Sequence, residues 1–397
     1  MGFFNKKKGK EQSWSQPKEM DGPKGPRQPE VLAESWSPVC DIQAFAEESE
    51  SCVYFYLWWR PGSERAQVKS CWVCNTKPAP EGVDKAAMDR GEAPMMPRSG
   101  CCHDAGGIRL KKRELSIVWL EEGDGAALVE SGAVLALIPG WAWREENFPG
   151  YARYAVGSAP FAWGLADAEP VLAPRVERSR AYWQTMEGDY WPALQRQGLE
   201  AIEGFFGPNE QYYAIDGGKF PPKALVAGRR DGVRYGFTLG VSALCQPVVE
   251  QYWPHDDPAA RRRIELGFAA REGMPEDRWM AALGRISGMT NLPWGEITCL
   301  GHGHTVACGE SFPGFPAVLL LDQRRLEGVA APVFSPVMGE PVVLLWAVPL
   351  TQAEYDLAME SQEAVLPMLY QGKREEMVIF DGKGKFLSGG PAAAGTP

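Results

Sequence analysis

The apolar runs of this chain are short and closely fenced by turn-forming residues. Residues 134–138 lie between Ser131-Gly132 and Pro139-Gly140, and residues 342–349 follow Gly339-Glu340-Pro341. Both are far below the roughly 20 residues that span a bilayer; length and β-branched content suit strands instead. Cys52-Val53-Tyr54-Phe55-Tyr56-Leu57-Trp58-Trp59 and residues 115–120 read the same way, with Gly123-Asp124-Gly125 and Ser131-Gly132 as turns. With a helix at 83–90, these segments form a strand-rich block over 36–168. Residues 169–189, charged and bearing Pro170 and Pro174, read as a connector.

A second block, 190–387, opens with a helix near 191–206, where Leu194, Leu199, Ile202, Phe205 and Phe206 share a face. A hairpin turns at Arg230-Asp231-Gly232. Ile264, Leu266, Phe268 and Ala270 alternate with Glu265, Gly267, Ala269 and Arg271, which predicts a strand with one face to water. Residues 277–289 read as a helix, and 318–321 and 342–348 as central strands. Thr351-Gln352-Ala353-Glu354 is a capping box opening a helix to about residue 370, before a short strand at 377–380. Strands punctuated by helices without strict βαβ alternation predict an α+β fold of two mixed α/β lobes. Residues 1–35 and 388–397 are expected to be disordered tails.

Charge narrows the partners. Lys+Arg 41 against Asp+Glu 51 gives −10. Residues 1–27 hold seven basic and three acidic side chains, so the remainder carries 34 basic against 48 acidic, or −14. An acidic body of this kind favours a basic partner over nucleic acid or an anionic membrane. Met1-Gly2-Phe3-Phe4-Asn5 runs into Lys6-Lys7-Lys8, the reverse of a secretory leader. Nine cysteines, an odd number, do not suggest a disulfide framework, so a reduced, cytoplasmic protein is expected.

Two clusters could hold a metal. Cys71-x-x-Cys74 with Cys101-Cys102-His103 supplies soft ligands for a structural zinc. Cys299-x-x-His302-x-His304-x-x-x-Cys308 supplies a second set, and His302 and His304 would share a face if extended. Buried thiols and loop histidines bonded to backbone explain both more simply, and no metal or other cofactor is expected. Phosphate-binding, dinucleotide, nucleophile-elbow and zinc-protease motifs are absent from the sequence. Glu121-Glu122-x-Asp124 and Glu145-Glu146 could pair for acid–base work, but carboxylates beside a Gly-Asp-Gly turn are expected to be solvated. With 15 Trp, 12 Tyr and 16 Phe, many in Pro-rich contexts such as Trp141, Trp143, Tyr252-Trp253 and Trp294, the chain suits a binder better than an enzyme.

The second block also resembles a known family. Arg234-Tyr235-Gly236-Phe237-Thr238-Leu239-Gly240-Val241, Arg263-Ile264-Glu265-Leu266-Gly267-Phe268, Trp279 and Pro293-Trp294-Gly295-Glu296-Ile297 open an ordered series. His302-Gly303-His304-Thr305-Val306, Val342 through Pro349, and Leu350-Thr351-x-x-Glu354 complete it. Over about residues 190–370 this series resembles the suppressor of fused (SUFU) domain. The first block, with Ser70-Cys71-Trp72-Val73 and Pro94-Met95-Met96-Pro97, is similar to an extension that precedes the domain in some bacterial members. The resemblance implies a two-lobed protein-binding fold without known catalysis. Animal members grip a short peptide of a transcription factor between lobes, and bacterial members resemble immunity proteins that block a cognate toxin. On this reading the chain is a non-enzymatic immunity protein with a basic toxin as partner. Trp294, Glu296, His304, Glu121, Glu122 and Asp124 are expected at the partner surface. A general peptide adaptor and a zinc enzyme using His302 and His304 are the alternatives.

Overall fold

The structure, a computed structural model, describes residues 29–361 and 365–387. Most of both expected tails lies outside the described residues. Residues 30–35, however, belong to the first strand rather than to a tail.

That strand begins an antiparallel meander of β1 (Glu30–Trp36), β2 (Ile42–Glu48), β3 (Cys52–Trp59) and β4 (Gln67–Asn75). A short helix, α1 (Lys85–Asp89), and long loops lead to a second sheet. It contains β5 (Leu115–Trp119), β6 (Ala126–Glu130), β7 (Ala133–Ile138), β8 (Tyr151–Ala152) and β9 (Trp163–Gly164), also in chain order. The residues read as a connector instead form a 19-residue helix, α2 (Glu169–Glu187). Pro170 falls in its first turn, where the N–H has no helical partner in any case. Leu172, Val176, Ser179, Tyr182 and Met186 then give α2 one buried face. Its first half joins Val118, Val129 and Leu137 of the second sheet in a cluster, and Tyr182 and Met186 enter the main core.

The second block folds around one eight-stranded mixed sheet. After α3 (Trp191–Phe206) come β10 (Gln211–Ala214), β11 (Ala224–Arg230), β12 (Val233–Leu239), α4 (Val249–Tyr252) and β13 (Ile264–Arg271). There follow α5 (Glu276–Met289), α6 (Leu292–Glu296), β14 (Thr305–Ala307), β15 (Ala317–Asp322), β16 (Val343–Leu350), α7 (Gln352–Glu360), α8 (Leu366–Leu369) and β17 (Ile379–Phe380). The order is β10-β11-β12-β13-β16-β15-β14, with β17 beside the far end of β13. β13 pairs parallel to β16 and β17, and every other ladder in this sheet is antiparallel. The Thr351–Glu354 capping box is present, but α7 stops at Glu360 and a separate short helix follows.

Helices cover both faces of this sheet. Ile202 of α3 packs with Val226, Phe237 and Trp346; on the other side Trp279, Leu283 and Ile286 of α5 pack with Leu225, Leu266 and Phe268. Gly198 lets α3 approach, since a Cβ there would stand 2.0 Å from a Leu239 methyl. Double coverage explains why β13 has no wet face: all but Arg271 are buried. Glu265 sits there without solvent. Its carboxylate accepts from Thr238 Oγ1 (2.6 Å), Gly240 N (2.9 Å), Ser242 N (3.0 Å) and Ser242 Oγ (2.7 Å). Burial still pushes its pKa up. Removing one acceptor that serves four buried donors strands them together. Glu265→Ala is therefore expected to lower the unfolding free energy by roughly 3 kcal/mol in denaturant titration, and Glu265→Gln, which keeps one acceptor oxygen, by about half that.

Candidate protein-interaction site

Two features at the junction of the lobes stand out: an internal ion network and an open groove beside a sheet edge. The network begins at the β5–β6 turn. Gly123 adopts φ +75°, and a Cβ there would meet the Val39 side chain at 2.5 Å, so the turn can lie flat against the β1–β2 loop. Ser37 Oγ donates to Gly123 O (2.7 Å), Trp143 Nε1 to Asp124 O (2.8 Å), and Trp183 Nε1 to Leu120 O (3.1 Å). Clamped in this way, Glu121, Glu122 and Asp124 are buried, not solvated.

Arginines from elsewhere neutralise the two glutamates. Arg262, just before β13, donates through Nη1 to Glu121 Oε2 (2.6 Å) and through Nε to Glu340 Oε2 (2.9 Å), and its Nη2 also pairs with Glu340. Arg175 of α2 bridges Glu122 (3.1 Å) and Glu250 of α4 (3.3 Å). Arg263 binds Glu340 (2.8 Å) and the carbonyls of Ser242 and Ala243. Burial raises the pKa of Glu122, but Arg175 and Arg262 more than offset this and hold it below the usual carboxylate range. Burial and the charges of Glu122 and Glu250 push Asp124 well above its usual range.

The groove, about 770 Å³, opens beside β14. It is lined by Tyr252, Arg285, Leu292, His304, the strand itself and Met359. β14 ends the sheet order, so one of its sides meets no strand among the described residues. His304 O accepts from Leu320 N and Cys308 N donates to Pro316 O, so even-numbered residues face β15. Thr305 and Ala307, alternating with them, direct N–H and C=O toward the groove side. Arg285 contributes a buried Nε that has no hydrogen-bond partner among the described residues. Gly301 leaves room for Trp253, whose ring stacks on His304 at 5.5 Å and 13°. The first lobe reaches this rim through Arg144, which donates to Tyr252 OH at 3.1 Å.

Residues 219–379, about two-fifths of the chain, match the family model described as Suppressor of fused protein (SUFU). This chain carries a SUFU domain. No curated protein and no solved structure gave a significant match. SUFU is a protein-interaction family, in general non-catalytic. The matched segment runs from just before β11 to β17 and contains every residue that lines the groove.

The SUFU segment treats the expected contact residues differently. His304 lines the groove, its Nδ1 donating to Cys299 O at 3.2 Å and leaving Nε2 as acceptor. Burial holds its pKa below the ordinary value. Trp294 is only 2% exposed and donates Nε1 to Cys245 O, so it is core. Glu296 binds Arg60 (2.7 Å) and Arg65 (2.8 Å) of the first lobe; the Arg60 hydrogen bond holds it low. Glu121, Glu122 and Glu296 thus join the lobes to each other, while Asp124 is held within the first by Trp143. Arg262 and Arg285 were missed, although adjacent arginines opening a buried strand were a usable signal; Tyr252 was legible only as one of the loop aromatics.

The Cys and His clusters do not assemble. His103 Nε2 accepts from Asn75 N (3.4 Å), Cys71 Sγ points at Tyr151 O (3.4 Å), and His302 Nδ1 accepts from Asp322 N (3.1 Å). Among the described residues no group of three or more His, Cys, Asp or Glu is arranged to hold a metal ion. Also among them, no helix is long and apolar enough to cross a membrane.

Two measurements follow from this geometry. Arg262→Ala leaves Glu121 buried without its cation, while Glu340 keeps Arg263, so unfolding free energy at pH 7 should drop by about 3–5 kcal/mol. The deficit should shrink as pH falls toward about 5, where stranded carboxylates take up protons. His302 is shifted down to about 4, first by burial and then by Arg325. Its stabilising neutral form is complete above the unfolded value of 6.5 and lost as pH falls through 4. Relative to His302→Gln, the native chain should therefore lose about 1–2 kcal/mol between those limits, allowing for solvent screening at a partly exposed ring.

Proposed function

We propose that this chain is a non-enzymatic binding protein that takes an extended segment of a partner along β14, and that the partner is a basic toxin it neutralises. The observation that carries the first part is the free side of β14 beside a groove holding an unpaired Arg285 Nε. An added strand gains main-chain hydrogen bonds from Thr305 and Ala307, while Arg285 donates to a carbonyl or carboxylate and Tyr252 and Met359 take apolar side chains. The family's role in protein interaction supports this reading. The net charge of −10 supports a basic partner, attracted over distance and captured quickly.

Pull-down from cytosol at low salt, followed by mass spectrometry, tests the reading. One stoichiometric partner, toxic alone and harmless when co-expressed, establishes neutralisation; several substoichiometric partners establish a general adaptor. Ala307→Pro removes one outward N–H from an edge strand that tolerates proline. It should weaken the partner by about tenfold or more with little change in Tm. The association rate should fall steeply between about 0.05 and 0.5 M salt. A rate that ignores salt would count against the electrostatic part.

A further inference from the structure

The first sheet has two faces with different surroundings. Its inner face puts Ala44, Phe55, Leu57 and Cys71 into the main core. On the outer face the register aligns Trp36, Gln43, Trp58 and Val68 in one row. Glu34, Phe45, Tyr56 and Ser70 form the next. Trp36 and Val68 are 52% and 53% exposed, and Trp58 and Phe45 are half-buried. Phe45 stacks on Tyr56 at 4.9 Å. None of Trp36, Phe45 and Trp58 belongs to a buried cluster or packs against one among the described residues. Toward β4 the aromatic stripe opens into a cavity of about 310 Å³ between Tyr54, Tyr56, Met88 of α1 and the loop residues Pro94 and Phe161. Glu34 and Glu47 stand in the outer rows, and the Glu47 charge adds to burial in raising the Tyr56 phenol to about 12.

A sheet face offers rings rather than backbone groups, because its N–H and C=O are already in the ladders. A strand laid across it would leave its own backbone unpaired. A polyproline II segment has no internal hydrogen bonds, keeps its backbone solvated, and lays flat rings on aromatic side chains. The two carboxylates select cations, and a guanidinium also stacks on indole and phenol faces. We propose that the outer face of β1–β4 binds a proline-rich, arginine-bearing segment of a partner protein. This surface is separate from the β14 groove and does not depend on it.

The test is fluorescence anisotropy with the full chain and a labelled peptide of four Pro-Pro-Arg repeats, beside an Ala-Ala-Arg peptide of equal charge. The proline peptide should bind in the micromolar range, and the alanine peptide about tenfold more weakly. Trp36→Ala with Trp58→Ala should cost about tenfold or more, Glu34→Gln with Glu47→Gln about threefold or more with a flattened salt dependence, and Ala307→Pro nothing. Trp36→Ser alone, at an exposed position, repeats the aromatic arm if the double variant does not fold. Equal binding of both peptides, indifference to Trp36, or no binding up to about 1 mM would overturn the proposal. So would a dimer that Trp36→Ser dissolves, since the face would then be occupied by a second copy.

Discussion

Carboxylates buried without a counter-charge each cost several kcal/mol, and here Glu121 and Glu122 lie side by side in one turn. The guanidinium of Arg262 meets that requirement from the other lobe, with Arg175 completing it from α2. Because the acids belong to the β5–β6 turn and the main cation to the start of β13, the two lobes cannot part without exposing charge on both. Arg60 and Arg65 on Glu296 repeat the arrangement at a wetter site. The buried apolar cluster tells the same story, running from Phe55 through Tyr182 to Leu244, Ile264 and Trp294.

This fixed junction positions the groove. Arg263 shares Glu340 with Arg262 and grips the carbonyls of Ser242 and Ala243, which anchors the start of β13 beside β16. β16 carries β15, and β15 carries β14, so the edge strand is placed by a chain of ladders that begins at the ion network. Tyr252, held by Arg144, and His304, stacked on Trp253, shape the rim. A binding edge built on so many fixed neighbours loses little conformational entropy when a partner strand is added.

Periodicity made much of this legible. The 191–206 helix, the hairpin at Asp231-Gly232, the 318–321 and 342–348 strands and the Thr351 capping box were all readable because each depends on local spacing or turn chemistry. The ordered series around Trp279 and His304 carried the family as well. What stayed hidden depended on contacts far apart in sequence. Glu265 looked wet because alternation cannot reveal a helix covering the second face. Glu121 and Glu122 looked solvated because their cations, Arg262 and Arg175, stand 141 and 53 positions away. Pro170 and Pro174 suggested a connector because the place of Pro170 in a first turn, where proline is tolerated, is visible only once the helix start is known, and because Pro174 stands inside the helix against the usual rule. The aromatic residues divided likewise: Trp294 is core, whereas Trp36 on an edge strand is open.

The internal network also bears on how far the acidic composition reaches a partner. Glu121, Glu122 and Glu340 are set against Arg175, Arg262 and Arg263, so this pairing withdraws as many positive as negative charges from the surface. The excess of acid that composition records therefore is not consumed inside. Asp124, pushed toward its neutral form, and Glu265, satisfied by hydroxyl and amide donors, are small exceptions. Nearly all of the remaining imbalance must face solvent, where it acts over a Debye length of about 8–10 Å. Long-range attraction and short-range recognition are thus carried by different residues: the first by dispersed surface carboxylates, the second by backbone and rings held in place by the buried ones.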